Sequence, residues 1–238
     1  MTELELLVDL HLDGHRQGPG SSATTLKALK LTGLTEKARL RIADLGCGTG
    51  ASTLILAEML NGEITAVDLF PEFLDRLTID AAQYRLVDKI QTQAISMDAL
   101  SFGPESLDLI WSEGAIYNIG FKKGAYYWGQ FLKPGGVLAV SEITWLTDQR
   151  PAEVEAYWHS FYPEIATLDK KTAILEELGF EIIDTIIFPE SCWEEEYYQS
   201  LEGRYDNFLA RHQDNELAAR VVAADREEIK MYRKYKSY

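Results

Sequence analysis

Cysteine is scarce: the chain of 238 residues holds two, Cys47 and Cys192. They form neither a C-x-x-C pair nor a zinc-ligand spacing, so a disulfide framework and a cysteine-based metal site are excluded, and the low count fits a reducing compartment. Long apolar runs are missing as well. No stretch approaches the ~18 uncharged apolar residues of a membrane span. The first residues, Met1-Thr2-Glu3-Leu4-Glu5, lack the basic start and apolar run of a secretion signal, and a cytoplasmic location is expected. Basic charge is short: 23 Lys and Arg stand against 38 Asp and Glu, a net charge of −15. A surface this acidic is repelled by a phosphate backbone, which argues against nucleic-acid partners, tRNA included. Internal repeats and low-complexity linkers are absent too.

What is present is ordinary globular composition, 46% hydrophobic and 26% charged. A chain of this length buries roughly 70% of its unfolded surface and needs no covalent staples. After the turn Gly18-Pro19-Gly20-Ser21-Ser22 comes a helical pattern over about 23–31. Strand-like runs follow at 40–45, 63–69, 90–96, 107–111, 137–143 and 180–188. Helical patterns over about 51–60, from Pro71 onward, and over about 122–132, 152–163 and 170–178 fall between them, and everything from Glu194 on reads as helix. Asn61-Gly62 is expected to close the first of these helices in a left-handed stop, and Gly179 the last. Pro71 suits a first helical turn whose inner face carries Phe73, Leu74 and Leu77. Strands alternating with helices define an α/β fold, a mostly parallel twisted sheet with helices on both faces. Its ligand site is expected beyond the carboxyl end of strand one.

The loop there reads Asp44-Leu45-Gly46-Cys47-Gly48-Thr49-Gly50. Its glycines permit a tight turn and close approach of a ligand to the backbone. From Gly46 it also fits G-x-G-x-x-A, a dinucleotide pattern. Asp44 argues against that, because an acid beside the first glycine suits a ligand with positive charge better than a pyrophosphate. Asp68, at the end of strand two, stands 22 residues beyond Gly46, the spacing at which an acid accepts both ribose hydroxyls. Asp98, after strand three, is placed to accept from an adenine amino group.

Asp44 to Gly50, Ala66-Val67-Asp68, Met97-Asp98-Ala99 and Leu132-Lys133-Pro134-Gly135-Gly136 occur in that order. With them the chain resembles the class I S-adenosylmethionine-dependent methyltransferases over roughly 38–188. It resembles most the small-molecule branch of ubiquinone/menaquinone-type C-methyltransferases and glycine/sarcosine-type N-methyltransferases. Gln17-Gly18-Pro19-Gly20-Ser21 and Trp111-Ser112-Glu113-Gly114-Ala115-Ile116-Tyr117 share that likeness. The resemblance implies a Rossmann-like three-layer sandwich, S-adenosylmethionine as cofactor, S-adenosylhomocysteine as product, no metal, and a small-molecule acceptor; a homodimer stays open. It implies a cofactor site of Gln17, Gly18, Asp44, Gly46, Cys47, Gly48, Gly50, Ser52, Asp68, Leu69, Met97, Asp98, Ala99 and Glu113. Glu113 and Tyr117 are the catalytic candidates, facing the transferred methyl. Three segments are expected: an N-terminal helical lid over 1–37, the methyltransferase domain over 38–188, and a C-terminal helical segment over 189–238 packed on it. The lid's Gly14, Gly18 and Gly20 act as hinges over a segment short of core residues. Two rival readings are a cofactor-binding module without catalysis and a dinucleotide-dependent oxidoreductase. The family's sheet also carries a seventh, antiparallel strand between strands five and six. No strand-like run follows Phe188, so the far edge of this sheet departs from that pattern or the chain stops short of it.

Overall fold

The computed structural model describes residues 1–238. Five strands form one parallel sheet: β1 (Leu40–Leu45), β2 (Gly62–Asp68), β3 (Ile90–Ala94), β4 (Leu107–Glu113) and β5 (Leu132–Ser141), in the order β3-β2-β1-β4-β5. β1 is central and nearly all buried, as a run apolar on both faces requires. Side chains alternate across the sheet, so Ala43, Leu45 and Ile110 pack into one core with Trp128 and Phe121. Ile42, Leu109 and Trp111 pack into the other with Leu29, Leu56 and Leu60. Helices α2 (Ser22–Leu31), α3 (Ala51–Met59), α4 (Pro71–Gln83), α5 (Phe121–Gly129), α6 (Ala152–Phe161) and α7 (Leu168–Glu177) accompany the strands. β6 (Thr144–Trp145) and β7 (Ala166–Thr167) form a separate parallel pair.

Leaving the centre, the chain passes from β1 to β2 on one side, while β4 lies on the other. The loops after β1 and β4 therefore diverge, and a crevice opens at their carboxyl ends. Above the sheet sits a helical cap. α1 (Glu3–Leu12) packs with α8 (Ser191–Trp193), the π-helical turn Glu194–Tyr198, α9 (Gln199–Glu202), α10 (Tyr205–Arg211) and α11 (Glu216–Tyr235). The cap has a core of its own, built on Leu6, Leu10, Tyr198, Tyr205, Phe208, Val222 and Ile229.

Several expectations need correction. The 180–188 run forms no strand: it has no ladder partner, and Ile183 and Ile187 face solvent. Alternating apolar residues become a strand only where another strand takes up their backbone groups, and β5 pairs on one side alone. Asn61-Gly62 is no left-handed stop, because α3 ends on an extended Leu60 and neither residue has positive φ. Gly62 instead meets β1 closely: a Cβ there would lie 2.3 Å from the Leu40 carbonyl oxygen. The helix expected to reach Leu132 stops at Gly129, and Lys133-Pro134-Gly135-Gly136 lies inside β5, where the register jumps from Leu107–Leu132 to Leu109–Val137. Gly179 does close α7, at φ 90°, and Pro71 opens α4 over the buried Phe73, Leu74 and Leu77.

Candidate active site

Gly46, Gly48 and Gly50 all adopt left-handed backbone, which lets β1 turn sharply into α3. All three are also needed for space: a Cβ on Gly50 would lie 2.2 Å from Leu77 Cδ1. A Cβ on Gly46 would lie 2.3 Å from the Ala115 Cβ, and one on Gly48 would lie 2.1 Å from Gln17 Oε1. Asp68 braces the loop: its Oδ2 accepts from the Gly48 amide at 2.8 Å and its Oδ1 from the Phe70 amide at 3.0 Å. Burial pushes its pKa upward against the pull of those amides. Asp44 is fully buried, and its Oδ2 accepts from the Ser52 and Thr53 hydroxyls at 2.9 and 2.7 Å. Burial pushes the Asp44 carboxyl up to about 7, with the two hydroxyls opposing. Its buried Oδ1 has no partner. Cys47 is buried too, and burial raises its thiol well above the ordinary range.

Asp98 lies in the open. Its pKa is lowered by the Ser96 hydroxyl and then by Lys123, which it meets at 2.6 and 3.1 Å. The Ala99 amide donates to Ser96 O. The Met97 methyl lies near Gly46, while the Met97 carbonyl accepts from Trp128 Nε1. Leu69 is exposed.

The N-terminal segment is tied to this loop. Gln17 Oε1 accepts from the Thr49 amide at 2.9 Å, and its Nε2 donates to Thr49 Oγ1 and Gly14 O, both at 3.0 Å. Gly18 has open space beside it. Arg16, which sequence reasoning passed over, is buried and donates to Glu113 Oε2 at 2.6 Å and Thr25 Oγ1 at 3.0 Å. Glu113 Oε1 accepts from Thr25 Oγ1 at 2.7 Å and Trp111 Nε1 at 3.0 Å. Three donors, from Arg16, Thr25 and Trp111, are spent on the Glu113 carboxylate, which leaves it holding the segment against the sheet. The segment expected to be short of core residues thus buries Arg16, Gly14 and Gly20.

A second buried cluster follows β5. Glu142 Oε1 accepts from Lys171 Nζ at 2.9 Å and from the Tyr162 hydroxyl, while Lys171 Nζ lies 2.7 Å from that hydroxyl. The Lys171 and Glu142 side chains keep only 4% and 5% of their surface exposed, and Glu142 Oε2 is buried without a partner. The Tyr162 ring packs on Tyr117, on the 3-10 turn after β4, with ring centres 5.8 Å apart. No sequence signal marked this set, because its members lie on three elements and share no spacing. Trp145 is buried in a small core with Val154 and Tyr162, and Phe161 is exposed.

Residues 42–136 match a family model described as a methyltransferase domain. Among similar proteins, O-methyltransferase cnsE of Penicillium expansum is 24% identical over 60% of this chain and 52% of its own length. Trans-aconitate 2-methyltransferase of Escherichia coli O1:K1 / APEC is 30% identical over 67% of this chain and 61% of its own. The chain thus spans less than two thirds of either relative. A methyltransferase structure from Geobacter sulfurreducens, in complex with S-adenosyl-L-homocysteine, superposes with a TM-score of 0.82 at 17% identity, covering 98% of this chain and 93% of that one. Sequence and fold point the same way: over residues 42–136 the chain is similar to a methyltransferase domain. It is built on the fold of the S-adenosylmethionine-dependent methyltransferases.

Proposed function

We propose that the chain transfers a methyl group from S-adenosylmethionine to a small-molecule acceptor. The observation that carries this reading is the cradle after β1. Glycines stand where a Cβ would collide, Asp68 is oriented by two backbone amides, and Asp44 keeps one buried acceptor oxygen unused. Such a cradle fits a ligand that approaches the backbone closely and brings hydroxyl and ammonium donors. Gly46, Cys47, Gly48, Gly50, Ser52, Gln17 and Gly18 would surround its amino-acid end. Asp68 and Leu69 would take the ribose, and Met97, Asp98 and Ala99 the adenine. S-adenosylmethionine supplies an activated methyl on a sulfonium, so the protein's tasks are to orient the acceptor and exclude water. Neither a nucleophilic side chain nor a metal is needed for that. Glu113, committed to Arg16, Thr25 and Trp111, acts as a positioning residue for the N-terminal segment. Tyr117 faces the acceptor.

The acidic net charge supports a small-molecule acceptor over nucleic acid. The dinucleotide reading is weaker, since the loop begins on the acidic Asp44. We place the protein in the cytoplasm. The test is calorimetric titration with S-adenosylhomocysteine. Charged hydrogen bonds are worth roughly 1.5–3 kcal/mol each, so Asp68→Ala should weaken binding at least ~10-fold while the circular-dichroism spectrum is kept. Unchanged affinity in a folded variant removes Asp68 from the site.

A further inference from the structure

The buried Glu142, Tyr162 and Lys171 have no task in the cofactor site, yet contacts join them to it. A Cβ on Gly46 would lie 2.3 Å from the Ala115 Cβ, so the glycine loop touches the turn after β4. That turn carries Tyr117, whose ring packs on the Tyr162 ring at 5.8 Å. The Tyr162 hydroxyl bonds to Glu142 Oε1 and lies 2.7 Å from Lys171 Nζ. A second path runs along the sheet. Glu113 stands opposite Ser141 in the last β4–β5 pair, and the Gly114 amide donates to Ser141 Oγ at 2.8 Å. Glu142 is the next residue, so it stands at the carboxyl end of β5, beside the end of β4.

Within the cluster one polar atom is left over. Lys171 Nζ donates to Glu142 Oε1 at 2.9 Å and to the Tyr162 hydroxyl. It also lies over the Phe121 and Tyr162 rings, at 4.5 and 4.7 Å from their centres. The Tyr162 hydroxyl accepts from Lys171 and donates to Glu142 Oε1. Both donors therefore fall on Oε1, and together they fix the plane of the carboxylate. Oε2 is buried without a partner, on a side chain only 5% exposed. A buried acceptor left unpaired is costly. The Lys171 charge offsets that of Glu142, so the pair is neutral as a whole. The acid nearest Tyr162 in the chain, Glu164, is spent on the Phe121 amide at 2.9 Å.

We propose that Glu142 Oε2 accepts a hydrogen bond from an uncharged hydroxyl on the molecule to be methylated, with Tyr162 and Lys171 as the positioning residues that aim it. The inference rests on the methyltransferase reading above. An ionised carboxylate only accepts, so the group that completes Oε2 must donate. An ammonium would bring an uncompensated charge to a pair that is already neutral, and an anion would meet the carboxylate. A hydroxyl does neither. Tyr117 is the half-exposed member of the set, 44% exposed, and its ring offers a face for a flat body. A phenolic hydroxyl combines the two features. Entry passes beside Tyr117, on a turn flanked by Gly114 and Gly120 in left-handed backbone at φ 61° and 86°.

The probe is phenol, compared with anisole, which has the same ring and oxygen but no proton to donate. Both are titrated by calorimetry into the full chain saturated with S-adenosylhomocysteine. Phenol should bind at least ~10-fold tighter than anisole. In Glu142→Gln the amide oxygen keeps the two donors, and the amide nitrogen, itself a donor, takes the place of Oε2. The preference should then disappear. Tyr162→Phe removes one donor from Oε1 and leaves the carboxylate, so the preference should fall by a smaller factor. A merely structural role would shift the thermal melts of these variants and leave the ratio of the two affinities unchanged. Equal binding of the two probes, binding of neither, or a ratio that survives in folded Glu142→Gln overturns the proposal. If that variant does not fold, an unchanged ratio in Tyr162→Phe overturns it. The S-adenosylhomocysteine isotherm separates the two claims. If it is present and phenol is not preferred, the hydroxyl site alone fails; if it is absent, the methyltransferase reading fails.

Discussion

The loop after β1 and the helical cap both bury acids, but they do so in opposite ways. In the loop, Asp44 and Asp68 are held by neighbours: hydroxyls eight and nine residues on for Asp44, and amides of adjoining loops for Asp68. In the cap, Glu228 on α11 accepts from the Tyr198 hydroxyl of the π-helical turn, and the buried Asp225 Oδ2 has no partner. The first arrangement is set by a short stretch of chain. The second depends on distant segments meeting.

The strongest way to break this contrast is to cut the tie between its halves. Arg16 and Glu113 link the N-terminal segment to β4, with side chains 5% and 12% exposed. Removing one partner of a buried pair strands the other, a loss of about 3–5 kcal/mol. Glu113→Ala should therefore lower unfolding free energy in urea by that amount. The double variant Arg16→Met with Glu113→Leu should recover part of it, and equal losses in the single and double variants would show that the pair carries no coupling.

Next in size is the cap's own core. Leu6 is fully buried among the C-terminal helices, and truncating such a leucine costs about 2–5 kcal/mol. Leu6→Ala should speed hydrogen exchange in α1 and α11 while β1 and β4 stay protected. A uniform rise across sheet and cap would mean that the two are one cooperative unit. For the same reason, deleting residues 1–20 should cost more than a lid, because it strips Leu6, Leu10 and Arg16 from their packing.

A smaller effect sharpens the comparison through pH. Burial and then the Glu228 charge raise the Asp225 carboxyl from 3.8 to about 7, with Arg204 opposing. Between those values the folded chain holds a proton that the unfolded chain has lost. This group's contribution to stability therefore falls as pH rises from about 4 to about 7 and is flat above. The slope is at most about 1.4 kcal/mol per pH unit. Urea melts of wild type and Asp225→Asn at pH 4.5, 5.5, 6.5 and 7.5 should diverge over that range, with the variant showing the shallower decline. Parallel curves would remove Asp225 from the buried cluster.

The smallest expected change is at Asp98. Its pairs with Ser96 and Lys123 are exposed, so Asp98→Ala should leave stability almost unchanged. It should still weaken S-adenosylhomocysteine binding measurably; equal affinity would free Asp98 from the adenine.

Legibility in the sequence follows the same division. The strands β1 to β4, the glycine loop and the spacing from Gly46 to Asp68 were readable because each is a local pattern with a local cause. Gln17 could be assigned to the loop only through resemblance, though its contact with Thr49 is what joins the N-terminal segment to it. The 180–188 run shows the limit of periodicity, since alternation gives a strand's faces but not its partner. Arg16, Lys171, Glu142 and Asp225 carry no spacing signal at all. Their burial depends on groups 29 to 97 residues away in the pairs Lys171–Glu142 and Arg16–Glu113, so only the folded chain reveals them.

The central claim is that the glycine cradle binds a nucleoside cofactor, and one titration tests it most directly. Gly48 sits at φ 54° with Gln17 Oε1 2.1 Å from where a Cβ would stand, so Gly48→Val both strains the loop and fills the cradle. Calorimetry should show saturable one-to-one binding of S-adenosylhomocysteine to the wild-type chain and none to a folded Gly48→Val variant. Absence of binding to the wild type, or the same isotherm for both, would contradict the account.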